Sequence, residues 1–314
     1  MKPINVLSLF DGMSCGQIAL DKAQIPVNKY FASEIDHKSI LVAQKNYPNT
    51  IQLGDVTKID LSQLPPIDLL IGGSPCQDLS KGNPHGKGLE GERSGLFWVY
   101  VDVLKKVKPK YFLLENVAMN KASERIITET LGVDPIEINS NLVSAQNRVR
   151  LYWTNIPNVT VPEDKGITIG DIIYDDSYKI FTDERITKTK RLTRNGNYVK
   201  WDISGKKYWS QQDRAYFKHK KMCCLPKANP SNKLNIVMDY DKDIYRRMHP
   251  IEAERCQTVP DRYTEHPDVT NNQRIEMLGN GWTVDVIVHI FKNLKHPCER
   301  PKKQTLFDFF KEKI

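Results

Sequence analysis

The first 157 residues alternate five short, near-continuously apolar runs with amphipathic stretches, and that rhythm leaves few folds open. The runs are INVLSLF (4–10), KYFASEI (29–35), DLLIGG (68–73), KYFLLEN (110–116) and VRLYWTNI (149–156). Hydrophobicity without polar alternation suits strands covered on both faces. Between them, residues 14–23, 37–46, 94–107 and 120–131 carry helical patterning. Strand–helix alternation of this kind predicts an α/β fold with a mostly parallel sheet and helices on both faces. Such sheets bind ligands in the crevice beyond the C-terminal strand ends, where the polar and glycine-rich loops of this chain fall.

The rhythm stops near residue 165. Residues 179–245 are rich in turn sequences and carry Phe181, Tyr198, Trp201, Tyr208, Trp209, Tyr216 and Phe217, which predicts a smaller, irregular second domain. The chain has a net charge of +8, and it is concentrated here. Between Lys179 and Lys227 fourteen Lys and Arg stand against four acids, a local excess that suits a polyanionic partner. Helical patterning resumes at 250–258 and 271–294. No apolar run is long enough to cross a bilayer, and the N-terminus MKPINVLSLFDG lacks a signal-peptide layout, so a cytoplasmic protein is expected, or a nuclear one in a eukaryote.

Six cysteines (15, 76, 223, 224, 256 and 298) contain no C-x-x-C pair. Neither a disulfide framework nor a metal site is therefore expected. Cys76, in GGSPCQDLS (72–80), follows a proline at a strand end and opens a polar, glycine-rich loop. A lone cysteine is most often a small core residue, but this position argues against a core role. A thiol there can act as a nucleophile if its surroundings favour the thiolate. Glu115, in LLENV (113–117), ends the next strand and places an acid beside it. In LSLFDGMSCGQIAL (7–20), Gly12 and Gly16 form a strand–helix turn where backbone can approach a ligand. Glu34 ends the second strand, placed to accept ribose hydroxyls, and Asp55 in LGDV (53–56) is placed to meet an adenine amino group. Three strand ends of this type suggest a nucleoside cofactor. Arg148 and Arg150, at i and i+2 of a strand-like segment, are expected on one face.

Taken together, F-D-G-x-x-x-G (10–16), Glu34, G-D-V (54–56), P-C-Q (75–77), E-N-V (115–117), Q-x-R-x-R (146–150), RRMHPIEAERCQTVPD (246–261) and LGNGWTVDVI (278–287) resemble the cytosine-C5 DNA methyltransferases. Their order and spacing hold from about residue 4 to 295. The wording is most similar to the branch holding the animal de novo enzymes and related phage and bacterial proteins. The Gly281-Trp282 pair and the TVPD ending depart from most bacterial members.

The resemblance implies a Rossmann-like, mixed but mostly parallel S-adenosylmethionine-dependent methyltransferase sheet with a small irregular target-recognition domain. It implies a catalytic and cofactor domain over 1–165, target recognition over 166–245, a return to the catalytic domain over 246–296 and a tail over 297–314. The catalytic residues it implies are Cys76, attacking C6 of a flipped cytosine, Glu115 at N3, and Arg148 and Arg150 anchoring the base. S-adenosylmethionine would meet Phe10, Asp11, Gly12, Met13, Ser14, Glu34, Ile35, Asp55, Val56, Pro75, Asn280, Gly281 and Trp282. Gln77, Ser80, Arg93, Gln146, Arg191, Arg194, Lys206 and Lys207 would touch double-stranded DNA, with the chain acting as a monomer. No metal is implied. Alternatives are a tRNA cytosine-5 methyltransferase, whose branch carries a Cys-Phe-Thr signature absent here, and an inactive DNA-binding regulator, which would have lost Cys76 or Glu115. In the tail, Leu306, Phe309 and Phe310 have the spacing of sliding-clamp-binding peptides, with an amphipathic last turn as the alternative.

Overall fold

The structure, a computed structural model, describes residues 2–74, 95–182, 191–192, 196, 198–200, 214–225 and 234–294. The five apolar runs become β1 (Ile4–Leu9), β2 (Val27–Ser33), β4 (Leu69–Gly72), β5 (Tyr111–Val117) and β8 (Val149–Thr154). With β3 (Ile51–Gln52) and β6 (Ile136–Asn139) they form one seven-stranded sheet in the order β3-β2-β1-β4-β5-β8-β6. Pairs β1–β2, β1–β4, β2–β3 and β4–β5 are parallel, whereas β5–β8 is antiparallel. A mixed, mostly parallel sheet is therefore what the alternation produces. Helices α1 (Cys15–Lys22), α2 (His37–Asn46), α3 (Gly95–Val107) and α4 (Lys121–Leu131) fall on the four patterned stretches.

Burial follows the periods. On α3, Phe97, Tyr100, Val101 and Leu104 recur at helical spacing and pack with Leu7, Leu70, Phe112, Leu114 and Trp153 of the strands. Asn120 accepts from the Ser123 amide to start α4, and Gly132 ends it in the left-handed conformation at φ 71°. At Gly16 the first helix touches the sheet so closely that a Cβ would lie 2.4 Å from Ile71 Cδ1. Only glycine fits there without displacing the core.

The chain divides into two compact units, one holding residues within 2–138, 149–161 and 286–294, the other those within 139–148 and 162–285. In the second unit the turn-rich span is more ordered than its composition suggests. It forms a six-stranded sheet in the order β10 (Arg191–Leu192), β11 (Tyr198–Lys200), β12 (Arg214–Phe217), β14 (Asn235–Asp239), β15 (Ile244–Arg247), β9 (Ile180–Thr182). Its neighbours are antiparallel except β12 and β14. Val199, Ala215, Val237 and Tyr245 make its small core, flanked by Phe181, Phe217 and Tyr240. Strands of two to five residues are too short to show a period, which is why the sequence reads as irregular. A short pair, β7 (Gln146–Asn147) with β13 (Met222–Cys223), runs parallel.

The helical patterning at 250–258 gives α5 (Pro250–Cys256), entered through a capping box between His249 and Glu252. The patterning over 271–294 is two helices, α6 (Asn271–Asn280) and α7 (Val284–Phe291), because Gly281 turns to an extended conformation. Among the described residues no helix is long and apolar enough to cross a membrane.

Candidate active site

Register lines up the strand ends. Leu9 pairs with Ser33 and with Gly72, and Gly72 pairs with Leu114. The next residue along each strand is Glu34, Phe10, Gly73 and Glu115, so these four step over one sheet edge in a single row. Parallel pairing makes this possible, because it brings all C-terminal ends to the same side.

Phe10 leaves β1 at φ 59°, followed by Gly12 at φ 57° and Ser14 at φ 64°. Three left-handed residues within five coil the backbone tightly, and space beside Gly12 is open, with nothing within 4 Å of a built Cβ. Glu34 holds this coil: its Oε2 accepts from the Gly12 amide at 2.8 Å, and its Oε1 from the amides of Ile35 and Asp36 at 2.7 and 2.8 Å. Ile35 is 76% exposed beside that carboxylate. Met13 and Ser14 are buried, as is Val56. Asp55 accepts from the Thr57 amide and hydroxyl at 3.0 and 2.8 Å, and these bonds hold its carboxyl below the usual range. Asp55 thus caps a short helical turn, the bland role open to any strand-end acid.

Asp11 accepts from the Tyr30 hydroxyl at 2.7 Å and from Ser14 Oγ. Burial pushes its carboxyl up to about 6, against the pull of Ser14, Ser8 and Tyr30 hydroxyls, while the charge of Glu34 adds to the rise. Folded Asp11 therefore keeps its proton to higher pH than the unfolded chain does. Its contribution to stability is full below about pH 3.8 and is lost as pH rises through about 6, by about 3 kcal/mol for a shift of about two units. Asp11→Asn should be more stable than the wild type by roughly 2–3 kcal/mol at pH 7.5 and equal to it near pH 4. Urea unfolding at the two pH values measures this, and equal stability at pH 7.5 would contradict it.

Glu115 lies diagonally across from Arg150, since Glu115 pairs with Tyr152 and Val117 with Arg150. Arg150 Nε meets Glu115 Oε1 at 3.0 Å, with side chains only 15% and 12% exposed. Beside them Asn116, 1% exposed, donates to the buried Ser74 hydroxyl at 3.1 Å. Sequence reasoning passed over Tyr30, Ser74 and Asn116. Asn116 was findable as the middle residue of E-N-V.

Arg148 does not share a destination with Arg150. It lies before β8 begins, is 4% exposed, and donates from Nη2 to the carbonyls of Gly279 and Gly281 at 3.1 and 2.9 Å. The one-face expectation fails because the chain bends out of the strand there. Gln146, expected on DNA, is fully buried. Its Nε2 donates to Cys256 O and Gln257 Oε1 at 2.8 and 2.9 Å, and its Oε1 accepts from the Leu225 amide at 3.0 Å. Gln257 in turn donates to Leu278 O and accepts from Thr283 Oγ1. Three sequence motifs of the second unit are thus bolted together by amide side chains. In that unit Asn280 is exposed, Trp282 is half-buried, and Gly281 caps α6. Arg191 lies on β10. Pro75, Cys76, Gln77, Ser80, Arg93, Arg194, Lys206, Lys207, Leu306, Phe309 and Phe310 lie outside the described residues.

The large mixed sheet, mostly parallel with helices packed on it, has the α/β methyltransferase fold. It superposes on the Entamoeba histolytica methyltransferase EhMeth with a TM-score of 0.71 at 18% identity, over 94% of this chain and 100% of that one. The C-5 cytosine-specific DNA methylase family profile matches residues 4–131 and 139–296, and the chain belongs to that family. It is 36% identical to the orphan methyltransferase M.SPRI of Bacillus phage SPR, over 50% of this chain and 38% of that enzyme. It is 28% identical to the type II methyltransferase M.NgoPII of Neisseria gonorrhoeae, over 95% of this chain and 97% of that enzyme. The match to the phage enzymes thus spans well under half of their length.

Proposed function

We propose that the protein is a DNA (cytosine-5)-methyltransferase that carries a methyl group from S-adenosylmethionine to C5 of a cytosine flipped out of duplex DNA. The observation carrying this is the row of Phe10, Glu34 and Glu115 over one sheet edge, in a chain of the cytosine methylase family. Just before P-C-Q in the sequence, the Ser74 hydroxyl is held by Asn116.

The first strand ends suit an adenosyl cofactor. The open space at Gly12, the exposed Ile35 side chain and the fixed Glu34 carboxylate offer a backbone cradle, an apolar surface and hydroxyl acceptors. Phe10, Asp11–Ser14, Val56 and Asp55 would complete that pocket. When bound, the cofactor supplies an electrophilic methyl group on a sulfonium.

Cytosine C5 is not nucleophilic enough to take that group unaided. Cys76 as thiolate adds to C6, and the displaced electron pair enriches C5 while N3 is protonated. Glu115 stands for that proton, and its ion pair with Arg150 at 3.0 Å orients it. After C5 is methylated, loss of its proton and departure of the Cys76 sulfur restore the ring. A base inside a duplex is out of reach, hence the flipping. The basic span within 166–245 supplies phosphate contacts, and is our proposed target-recognition domain.

Incubation with S-adenosylmethionine and mixed-sequence DNA, followed by bisulfite sequencing, should reveal 5-methylcytosine in one short context. Methylation absent from DNA but present in a parallel tRNA reaction would overturn the assignment of DNA.

A further inference from the structure

We propose that the second unit holds a built DNA subsite centred on Arg214, a cleft that receives a hydrogen-bond acceptor group of the bound duplex; this rests on the DNA-methylating function proposed above. The cleft has a volume of about 240 Å³ and is lined by Asn147, Tyr198, Arg214, Tyr216, Lys221 and the Met222–Cys224 segment. All of these lie in one unit.

The sheet explains how the cleft arises. Val199 and Ala215 face each other in register and enter the small core. Alternation then puts Tyr198, its partner Tyr216 and Arg214 on the opposite face. Among the described residues that face borders the cleft. The Arg214 guanidinium lies 4.7 Å from the Tyr198 ring centre, so its plane is fixed against an aromatic face. The Tyr198 and Tyr216 rings are tilted at 52° and centred 5.4 Å apart.

Among the described residues no carboxylate pairs with Arg214, whose electrostatic neighbours are Tyr216, Tyr198 and Cys223. Its Nε is buried without a hydrogen-bond partner, while the hydroxyl of Tyr216, a residue only 2% exposed, is engaged with the guanidinium and with the Cys223 thiol. Burial pushes the Cys223 thiol up to about 11, so it brings no negative charge at neutral pH. Lys221 adds a second cation, shared with Asp164 at 3.4 Å. Asn147 is already committed, donating to Met222 O at 3.0 Å.

A half-buried cation with one N–H left unsatisfied is costly unless something arrives to accept from it. The unmatched group is a donor, so the missing group is an acceptor. DNA offers two such groups: the O6 and N7 edge of guanine, which arginine reads in bidentate fashion, and a backbone phosphate. The cleft is smaller than the roughly 300–1,000 Å³ usual for small-molecule sites, which suits one edge of a nucleotide.

The test measures duplex affinity by fluorescence anisotropy for wild type, Arg214→Gln and Arg214→Lys, on a duplex carrying the methylated sequence and on a scrambled one, from 50 to 200 mM salt. If the acceptor is guanine, Arg214→Gln loses roughly 5- to 150-fold on the first duplex only, and Arg214→Lys does not restore it. If it is a phosphate, both duplexes weaken alike, the slope of log affinity on log salt falls by about 0.9, and Arg214→Lys restores most of the loss. Affinities of Arg214→Gln equal to wild type on both duplexes would overturn the proposal. Cys224 gives an independent readout without any variant: bound duplex should slow its alkylation, read by peptide mass spectrometry. Unchanged labelling at saturating DNA would also overturn it. A wild type that binds no duplex would instead sink the underlying functional reading.

Discussion

Cys76→Ser should abolish methyl transfer while leaving the fold and duplex binding in place. A serine hydroxyl is ionised to a negligible degree at neutral pH and cannot replace a thiolate in adding to C6, whereas even a free thiol of pKa about 8.5 is a few per cent thiolate. Removing a covalent nucleophile costs on the order of 10⁴-fold or more in turnover, so incorporation of labelled methyl groups should drop to the background. The same residue should form a trapped adduct with DNA containing 5-fluorocytosine, since the blocked C5 position cannot release a proton and the Cys76–C6 bond persists. A shifted, denaturation-resistant band present in wild type and absent in Cys76→Ser is the expected result. Retained methylation in the serine variant would place the nucleophile elsewhere.

Glu252→Gln should be the most destabilising single change in the second unit. Arg246 and Glu252 are both fully buried and meet in two parallel bonds, Nη1 to Oε2 at 2.9 Å and Nη2 to Oε1 at 2.7 Å. Glu252 further accepts from the amides of Tyr174 and His249 at 2.9 and 2.8 Å. The amide variant leaves the buried guanidinium with only the more distant Asp176 carboxylate, 3.9 Å from its Nε, as counter-charge and turns one acceptor into a donor facing other donors. Breaking such a pair from one side costs about 3–5 kcal/mol. In a domain of this size that lowers the melting temperature by roughly 6–20 °C. Calorimetry on Glu252→Gln and on Glu252→Gln/Arg246→Leu measures it, and the double variant should lose less than the sum of the singles. A melting point within 2 °C of wild type would refute the assignment of this pair as a structural brace.

The motifs mix two kinds of residue that look alike in sequence. Glu34 follows the end of β2 and Glu115 lies on β5 two residues before its end, and their placement follows from the parallel strands that the apolar runs announce. Glu252, Gln146 and Gln257 occur in motifs just as recognisable, yet each is fully buried and satisfied by its own unit. Nothing in a one-dimensional pattern distinguishes a carboxylate aimed at a ligand from one aimed at a buried arginine. Arg148 and Arg150 make the same point two residues apart, one bonded to the carbonyls after α6 and the other to Glu115.

Local chemistry and periodicity were enough to determine five strands of the large sheet and its four helices, because apolar runs and turn residues act within a few positions of themselves. The second unit's sheet, the bracing amides, the split of the two arginines and the unsatisfied Nε of Arg214 were decided only by tertiary structure. Each depends on which distant backbone or side chain comes within about 3 Å, a quantity that no short window of sequence contains.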